Sequence, residues 1–182
     1  MRIRPINFTN RVAAIRKNTY AYKLRKKMRS AHFERYAEEG NRFIDDVANE
    51  LNIMDHPRAL RITRAVLHTL RDRLPADDAV EFAQGLPVML KGIYFDQYDL
   101  SNSPVVLRTS REFIDYIREK NHIQRANDFY GDEDVIFCMQ AVFRVLKKHM
   151  DPGQVEQVEG LLPMEICELI EQQPVNMRYH AL

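Results

Sequence analysis

Residues 65–87 read AVLHTLRDRLPADDAVEFAQGLP, and residues 141–163 read AVFRVLKKHMDPGQVEQVEGLLP. The two stretches align without a gap: five positions are identical, and apolar character is kept at three more. Upstream of them, the tripeptide Phe-Ile-Asp occurs at residues 43–45 and again at residues 113–115. Repetition over this length indicates two copies of one structural unit.

Apolar periodicity and helix-breaking residues divide each copy into four short helices. The longest helix of each copy has an apolar stripe at helical spacing, formed by Leu60, Val66, Leu67, Leu70 and Leu74 in copy one and by Val135, Met139, Val142, Leu146 and Met150 in copy two. Proline and capping residues predict the ends of the helices. In copy one, the first two helices are expected at about 40–51 and 58–74, the third begins after Pro75, and the fourth begins at Leu86-Pro87. In copy two, the first two are expected at about 111–121 and 133–150, the third begins after Asp151-Pro152, and the fourth begins at Leu162-Pro163.

The predicted fold is an all-α, internally duplicated helical bundle of two four-helix units. The repeats cover about 40–95 and 110–171, within a helical domain at 37–172 that is followed by a C-terminal tail at 173–182. The connecting segment 96–108 contains Ser101-Asn102-Ser103-Pro104 and is typical of a linker. Residues 105–107 have the composition of a strand, but no second strand is available to pair with them.

Composition excludes several classes of protein. The chain has 182 residues, of which 45% are hydrophobic and 29% charged, so it is long enough to bury a substantial core. No run of 18 apolar residues is present, which excludes a membrane-spanning helix. Two cysteines are too few for a disulfide framework or a four-cysteine zinc site.

The net charge of +1 conceals a strongly uneven distribution. Residues 1–36 contain eleven of the 27 Lys and Arg residues but only one of the 26 acidic residues, Glu34, so this segment carries +10. The remaining sixteen basic and 25 acidic residues give the rest of the chain a charge of −9. A basic N-terminal arm joined to an acidic body predicts an anionic partner for the arm.

Aromatic residues are interleaved with the cations of this arm, which spans residues 1–36. Cations for phosphates beside aromatic rings for stacking are typical of nucleic-acid contact. A solvated basic tail, or a helix lying on the acidic body, is the alternative explanation of the same pattern. The arm is free of Pro and Gly between Asn10 and Tyr36, which permits a helix. The residues predicted to contact the anionic partner are Arg16, Lys17, Tyr20, Tyr22, Lys23, Arg25, Lys26, Lys27 and Arg29.

The ionisable residues of the body give no catalytic motif. Glu119 and His122 have the Glu-x-x-His spacing of di-iron carboxylate proteins, but that site needs the motif twice. His68 and Asp72 lie four residues apart, which favours a hydrogen bond on the helix surface over a catalytic pair, since no nucleophile is nearby. We therefore expect no catalytic residues, no metal and no cofactor.

Cysteines and acidic clusters are predicted to be structural. Cys138 lies among apolar residues and is expected to be buried, and Cys167 has no basic neighbour that would lower its pKa. The acidic clusters at 45–46, 77–78 and 132–134 are expected near helix starts, where carboxylates stabilise the helix dipole. The aromatic residues Tyr94, Phe95 and Tyr98 are expected to contribute to the core, with the lining of a pocket between the repeats as the alternative.

The stretch ALRITRAVLHTLRDRLPADDAVEFAQGLPVMLKGIYFD, residues 59–96, resembles the signature of the bacterial domain-of-unknown-function 2267 family. The resemblance rests on Arg71–Pro75, Leu86-Pro87 and Gly92–Phe95, and it covers about residues 40–170. It implies an all-helical, internally duplicated fold in a bacterial cytoplasmic protein. It brings no established activity and no catalytic residues, and the basic arm lies outside it.

Three functions follow from these observations. The leading prediction is a non-enzymatic helical adaptor whose arm binds RNA, a ribonucleoprotein or another anionic assembly, an anionic membrane surface being a lesser variant. The second is an accessory subunit of a larger protein complex, with the arm lying on an acidic protein surface. The third is a ligand-binding or enzymatic helical domain with a pocket between the two repeats.

Overall fold

The computed structural model describes residues 31–122 and 128–172. The chain divides into two compact units, Met1–Ala37 and Glu38–Leu182, and the packing reported below is that of the second unit. The described residues form eight α-helices and one short 3-10 helix, Leu100–Asn102. The α-helices are α1 Ala31–Glu50, α2 His56–Arg73, α3 Ala76–Gly85, α4 Val88–Phe95, α5 Ser110–His122, α6 Asp132–His149, α7 Pro152–Glu159 and α8 Met164–Glu171.

This architecture confirms the all-α class. Over the described residues no strand is present, and the strand-like residues 105–107 are irregular. The first helix differs from the prediction because it begins at Ala31 rather than near Gly40. Gly40 is a buried position inside α1, where an added Cβ would lie 3.0 Å from the Cβ of Met89. The glycine therefore allows α1 and α4 to approach closely, and it does not end a helix.

Capping side chains stabilise the starts of several helices at the positions that the sequence predicts. The Asp55 carboxylate accepts a hydrogen bond from the Arg58 amide at 2.9 Å, at the start of α2. The Thr109 hydroxyl accepts from the Glu112 amide at 3.2 Å, and the Glu112 carboxylate accepts from the Thr109 amide at 3.2 Å, which forms the predicted capping box. Asp151 accepts from the Gly153 amide at 2.9 Å, at the start of α7.

Helices α2 and α6 form the centre of the domain. Helix α2 packs against α3, α4, α5 and α6, and α6 also packs against α5, α7 and α8. The two predicted apolar stripes are buried except for Leu60, which is 37% exposed. From Ile62 to Asp72, the other helices surround most of the circumference of α2. Polar as well as apolar side chains are therefore buried in this stretch.

None of the described helices combines the length and the apolar character that crossing a lipid bilayer requires.

Candidate functional site

The predicted nucleic-acid-binding residues of the arm lie outside the described residues. They therefore remain predictions from sequence, and the geometry below concerns the body alone. These residues are Arg16, Lys17, Tyr20, Tyr22, Lys23, Arg25, Lys26, Lys27 and Arg29.

Most cations of the described body form ion pairs with carboxylates of the same body. At one end of α2, Arg61 makes a bidentate contact with Asp128, through Nε to Oδ2 at 2.8 Å and Nη2 to Oδ1 at 2.7 Å. The positive charge of the body is thus largely neutralised internally. The ion-paired cations are Arg58, Arg61, Arg64, Arg71, Arg111, Arg118, Lys120, Arg144, Lys147 and Lys148.

The most deeply buried of these cations is Arg71, which is only 1% exposed. Its guanidinium donates to Asp72 Oδ1 at 2.7 Å, to the Asp96 carbonyl at 2.9 Å and to the Tyr94 carbonyl. It also lies over the ring of Tyr98, 4.8 Å from the centroid. Arg71 therefore satisfies carbonyl groups at the end of α4, where helical carbonyls lack intrahelical partners.

Asp72 joins this arginine to α5. Its Oδ2 atom lies 2.6 Å from Lys120 Nζ and accepts a hydrogen bond from the Tyr116 hydroxyl at 3.0 Å. Burial alone would raise the pKa of Asp72, but hydrogen bonds from Arg71 and Lys120 outweigh it and hold the pKa below the ordinary value. One ionised carboxylate thus connects the two halves of the bundle.

His68 is buried and does not pair with Asp72, so the predicted surface hydrogen bond between them is wrong. Its Nε2 atom donates to the Ile93 carbonyl at 2.7 Å instead. Burial lowers the pKa of His68 to about 4, although the bond to Ile93 opposes that shift. The imidazole is therefore neutral at pH 7, and it serves as a hydrogen-bond donor inside the core.

The aromatic cluster beside these residues is only partly in the core. Tyr94 is fully buried, as predicted, whereas Phe95 is 36% exposed. The Tyr94 ring packs on Phe82 and Phe95, at centroid distances of 5.8 and 5.0 Å. Burial raises the pKa of the Tyr94 hydroxyl, and this hydroxyl has no hydrogen-bond partner within residues 31–122 and 128–172.

A second polar centre lies where α1 meets the end of α6. His149 Nε2 is 2.6 Å from Asp46 Oδ2, and Lys148 Nζ is 2.8 Å from Asp46 Oδ1. These hydrogen bonds, first from Lys148 and then from His149, hold the pKa of Asp46 below its ordinary value.

The acidic clusters lie near helix starts in two of the three predicted cases. Residues 77–78 and 132–134 lie in the first turns of α3 and α6, as predicted. The expectation is wrong for residues 45–46, because α1 already includes Ala31, fourteen residues before Asp45.

A surface cleft of about 310 Å³ adjoins this centre. Glu39 and Arg42 of α1, residues 85–88 at the junction of α3 and α4, and His149 line it. Sequence reasoning missed both the cleft and the Asp46–His149 pair. Asp46 and His149 lie 103 positions apart in the sequence, so no local spacing relates them.

The described residues contain no group of three His, Cys, Asp or Glu side chains placed to hold a metal. The side chain of His122 lies outside the described part of the structure, so the Glu119–His122 motif has no geometry. Cys138 is buried as predicted, and burial raises the pKa of the half-buried Cys167 thiol.

Together these features define an all-helical domain whose two halves, α1–α4 and α5–α8, are joined through a buried, charged cluster. This cluster consists of Arg71, Asp72, Tyr116 and Lys120. The cluster brings together two of the segments that carry the family resemblance, since Arg71 contacts the carbonyl of Tyr94. The chain belongs to the uncharacterized conserved protein family DUF2267, whose family model matches residues 40–169. The N-terminal arm lies outside that match, and a search of curated proteins found no match.

Proposed function

We propose that this protein is a non-enzymatic helical adaptor that binds RNA, or the RNA of a ribonucleoprotein, through its basic N-terminal arm. The observation that carries the proposal is the division of charge, +10 in residues 1–36 against −9 in the rest. An acidic body repels a polyanion, so attraction to RNA must come from the arm.

The ion pairs of the body support this division of labour. Ten body cations already have carboxylate partners, and three of these, Arg58, Arg71 and Lys120, are largely buried. Recruiting such a cation to a phosphate would break an existing pair. The arm, by contrast, contains a single acidic residue, Glu34, to neutralise eleven cations.

The test is fluorescence anisotropy of a labelled single-stranded RNA titrated with the full chain at several salt concentrations. Replacing Lys23, Arg25, Lys26, Lys27 and Arg29 together by Gln removes five candidate phosphate contacts. Because each contact with a single strand contributes about 0.7 to the slope of log K against log salt, the slope should become shallower by about 3.5. Binding at physiological salt should be lost.

Two control proteins separate charge from other effects. Lys23→Arg, Lys26→Arg and Lys27→Arg together keep the charge of the arm, so affinity and salt slope should be retained. Lys91→Gln removes a cation of the body and should leave RNA binding unchanged. Failure of the unmodified chain to bind RNA at low salt overturns the proposal, and the accessory-subunit function, with the arm on an acidic protein surface, then takes its place.

We further infer an internal duplication and a cytoplasmic location. The order of the helices supports the duplication, because α2 and α6 each have 18 residues, and each is followed by two shorter helices. Superposition of residues 56–95 on 132–171 tests it. The cytoplasmic location rests on the family resemblance, and cell fractionation tests it.

A further inference from the structure

The cleft beside His149 combines a fixed imidazole with an uncommitted cation. Asp46 orients the imidazole, and the ring of Phe43 packs against it at a centroid distance of 5.1 Å. An ionised carboxylate only accepts hydrogen bonds, so the His149 Nε2 atom is the donor to Asp46. This hydrogen bond fixes the ring of His149 in the wall of the cleft.

Arg42 supplies the cationic group of the cleft. Its side chain lines the cleft and forms no hydrogen bond or ion pair with the described residues. Lys148, by contrast, is already paired with Asp46. Arg42 thus differs from most cations of the body, because no carboxylate of the described residues neutralises its charge.

The remaining wall of the cleft is apolar. Leu86, Pro87 and Val88 contribute it, and Val88 is 45% exposed. The volume of about 310 Å³ lies at the lower end of the range for small-molecule sites. Glu39 also lines the cleft, which therefore has a single arginine to pair with an anionic group.

We propose that this cleft binds a small organic monoanion, whose carboxylate contacts Arg42 while its apolar part packs on Pro87 and Val88. Arginine is suited to this role because its planar fork of donors matches a carboxylate. The site is independent of the RNA-binding arm, so either proposal can fail without the other.

The experiment is a titration of the isotopically labelled full chain with valerate, followed by amide and imidazole NMR signals. Saturable shifts should appear at residues 85–88 and at the His149 ring. Pentanol, which has the same carbon skeleton without the charge, should produce much smaller shifts at the same concentrations. Inorganic phosphate is the third ligand to be titrated. Similar shifts with phosphate would indicate a site for any small anion, and much smaller shifts would indicate a site that also requires the apolar part of the ligand.

Variants identify the groups that hold the anion. Arg42→Gln should weaken valerate binding about tenfold, because a charged hydrogen bond is lost from an exposed side chain that does not support the fold. His149→Gln should also weaken it, because the ring of His149 forms part of the wall of the cleft. His56→Gln is the matched control, since His56 also pairs with an aspartate, Asp45, at 3.0 Å but lies outside the cleft.

The outcomes are distinct. Saturable cleft shifts that are lost in Arg42→Gln and retained in His56→Gln support the site. Absence of saturation with valerate up to about 10 mM, well above a millimolar Kd, overturns it. Shifts confined to the basic arm, or unchanged binding in Arg42→Gln, also overturn it, and the Arg42 variant decides the matter if His149→Gln proves unstable.

Discussion

The aligned positions 71–72 in α2 and 147–148 in α6 place charged residues in two different environments. Arg71 and Asp72 pair with each other at 2.7 Å, and their side chains are 1% and 9% exposed. Lys147 and Lys148 pair with Glu159 and Asp46, both at 2.8 Å, and in these pairs the lysines are 43% and 65% exposed while the carboxylates are 14% and 19% exposed. Nearly equal distances therefore have different energetic weight, because water reaches and can replace the lysine partner only in the α6 pairs.

The largest expected effect comes from breaking the buried pair. Asp72→Asn leaves Arg71 and Lys120 without their carboxylate and should reduce the free energy of unfolding by about 3–5 kcal/mol. Urea denaturation followed by circular dichroism measures this loss. The double variant Asp72→Leu with Arg71→Met removes both charges and should recover part of the stability. A loss below about 1 kcal/mol in Asp72→Asn would show that burial does not set the energy of this pair.

A smaller effect should follow from protonating His68, which aligns with the charged Arg144. The pKa of His68 is about 4 in the folded chain and about 6.5 when unfolded, so the unfolded chain binds the proton first as the pH falls. The stabilising contribution is present above pH 6.5 and is lost towards pH 4, and between pH 7 and 4.5 the loss should be about 2–3 kcal/mol.

Comparison of the His68→Gln variant with the unmodified chain measures this contribution. In His68→Gln the corresponding part of the pH dependence should vanish from urea denaturation curves. An unchanged pH dependence in His68→Gln would contradict the neutral, buried state of this imidazole.

The smallest effect is expected at the pair between Lys147 of α6 and Glu159. Lys147 is 43% exposed, so water can replace part of its contact with Glu159, and Lys147→Ala should change the free energy of unfolding by about 1 kcal/mol. Because solvent ions screen exposed pairs, the difference should shrink further in high salt. Urea denaturation at two salt concentrations measures both quantities. A loss as large as that of Asp72→Asn would remove the distinction between the two regions.

Much of the fold is predictable because helix ends are encoded locally. Asp55, Thr109 with Glu112, and Asp151 cap helices where short-range patterns place them. The start of α1 is not predictable in this way. Gly40 has the chemistry of a helix breaker, but its function, close approach to Met89, depends on a contact 49 positions away.

The buried cluster and the cleft are not predictable for a related reason. Helical periodicity identifies one apolar face, whereas α2 is covered on most of its surface by four other helices. The polarity of Asp72 is compatible with burial only because Tyr116 and Lys120, which lie 44 and 48 positions later, bind it. A buried charge needs hydrogen-bonding partners, and partners this distant in sequence form no local pattern from which the burial could be predicted.

The position of Asp72 between Arg71 and Lys120 also determines how the domain comes apart. Separating the first four helices from the last four would leave a carboxylate and an arginine in newly opened apolar surface. Both halves must therefore lose protection from amide hydrogen exchange together in α2 and α5, as one cooperative unit. We expect neither half to fold alone as stably as the whole domain, because each would expose part of this charged cluster.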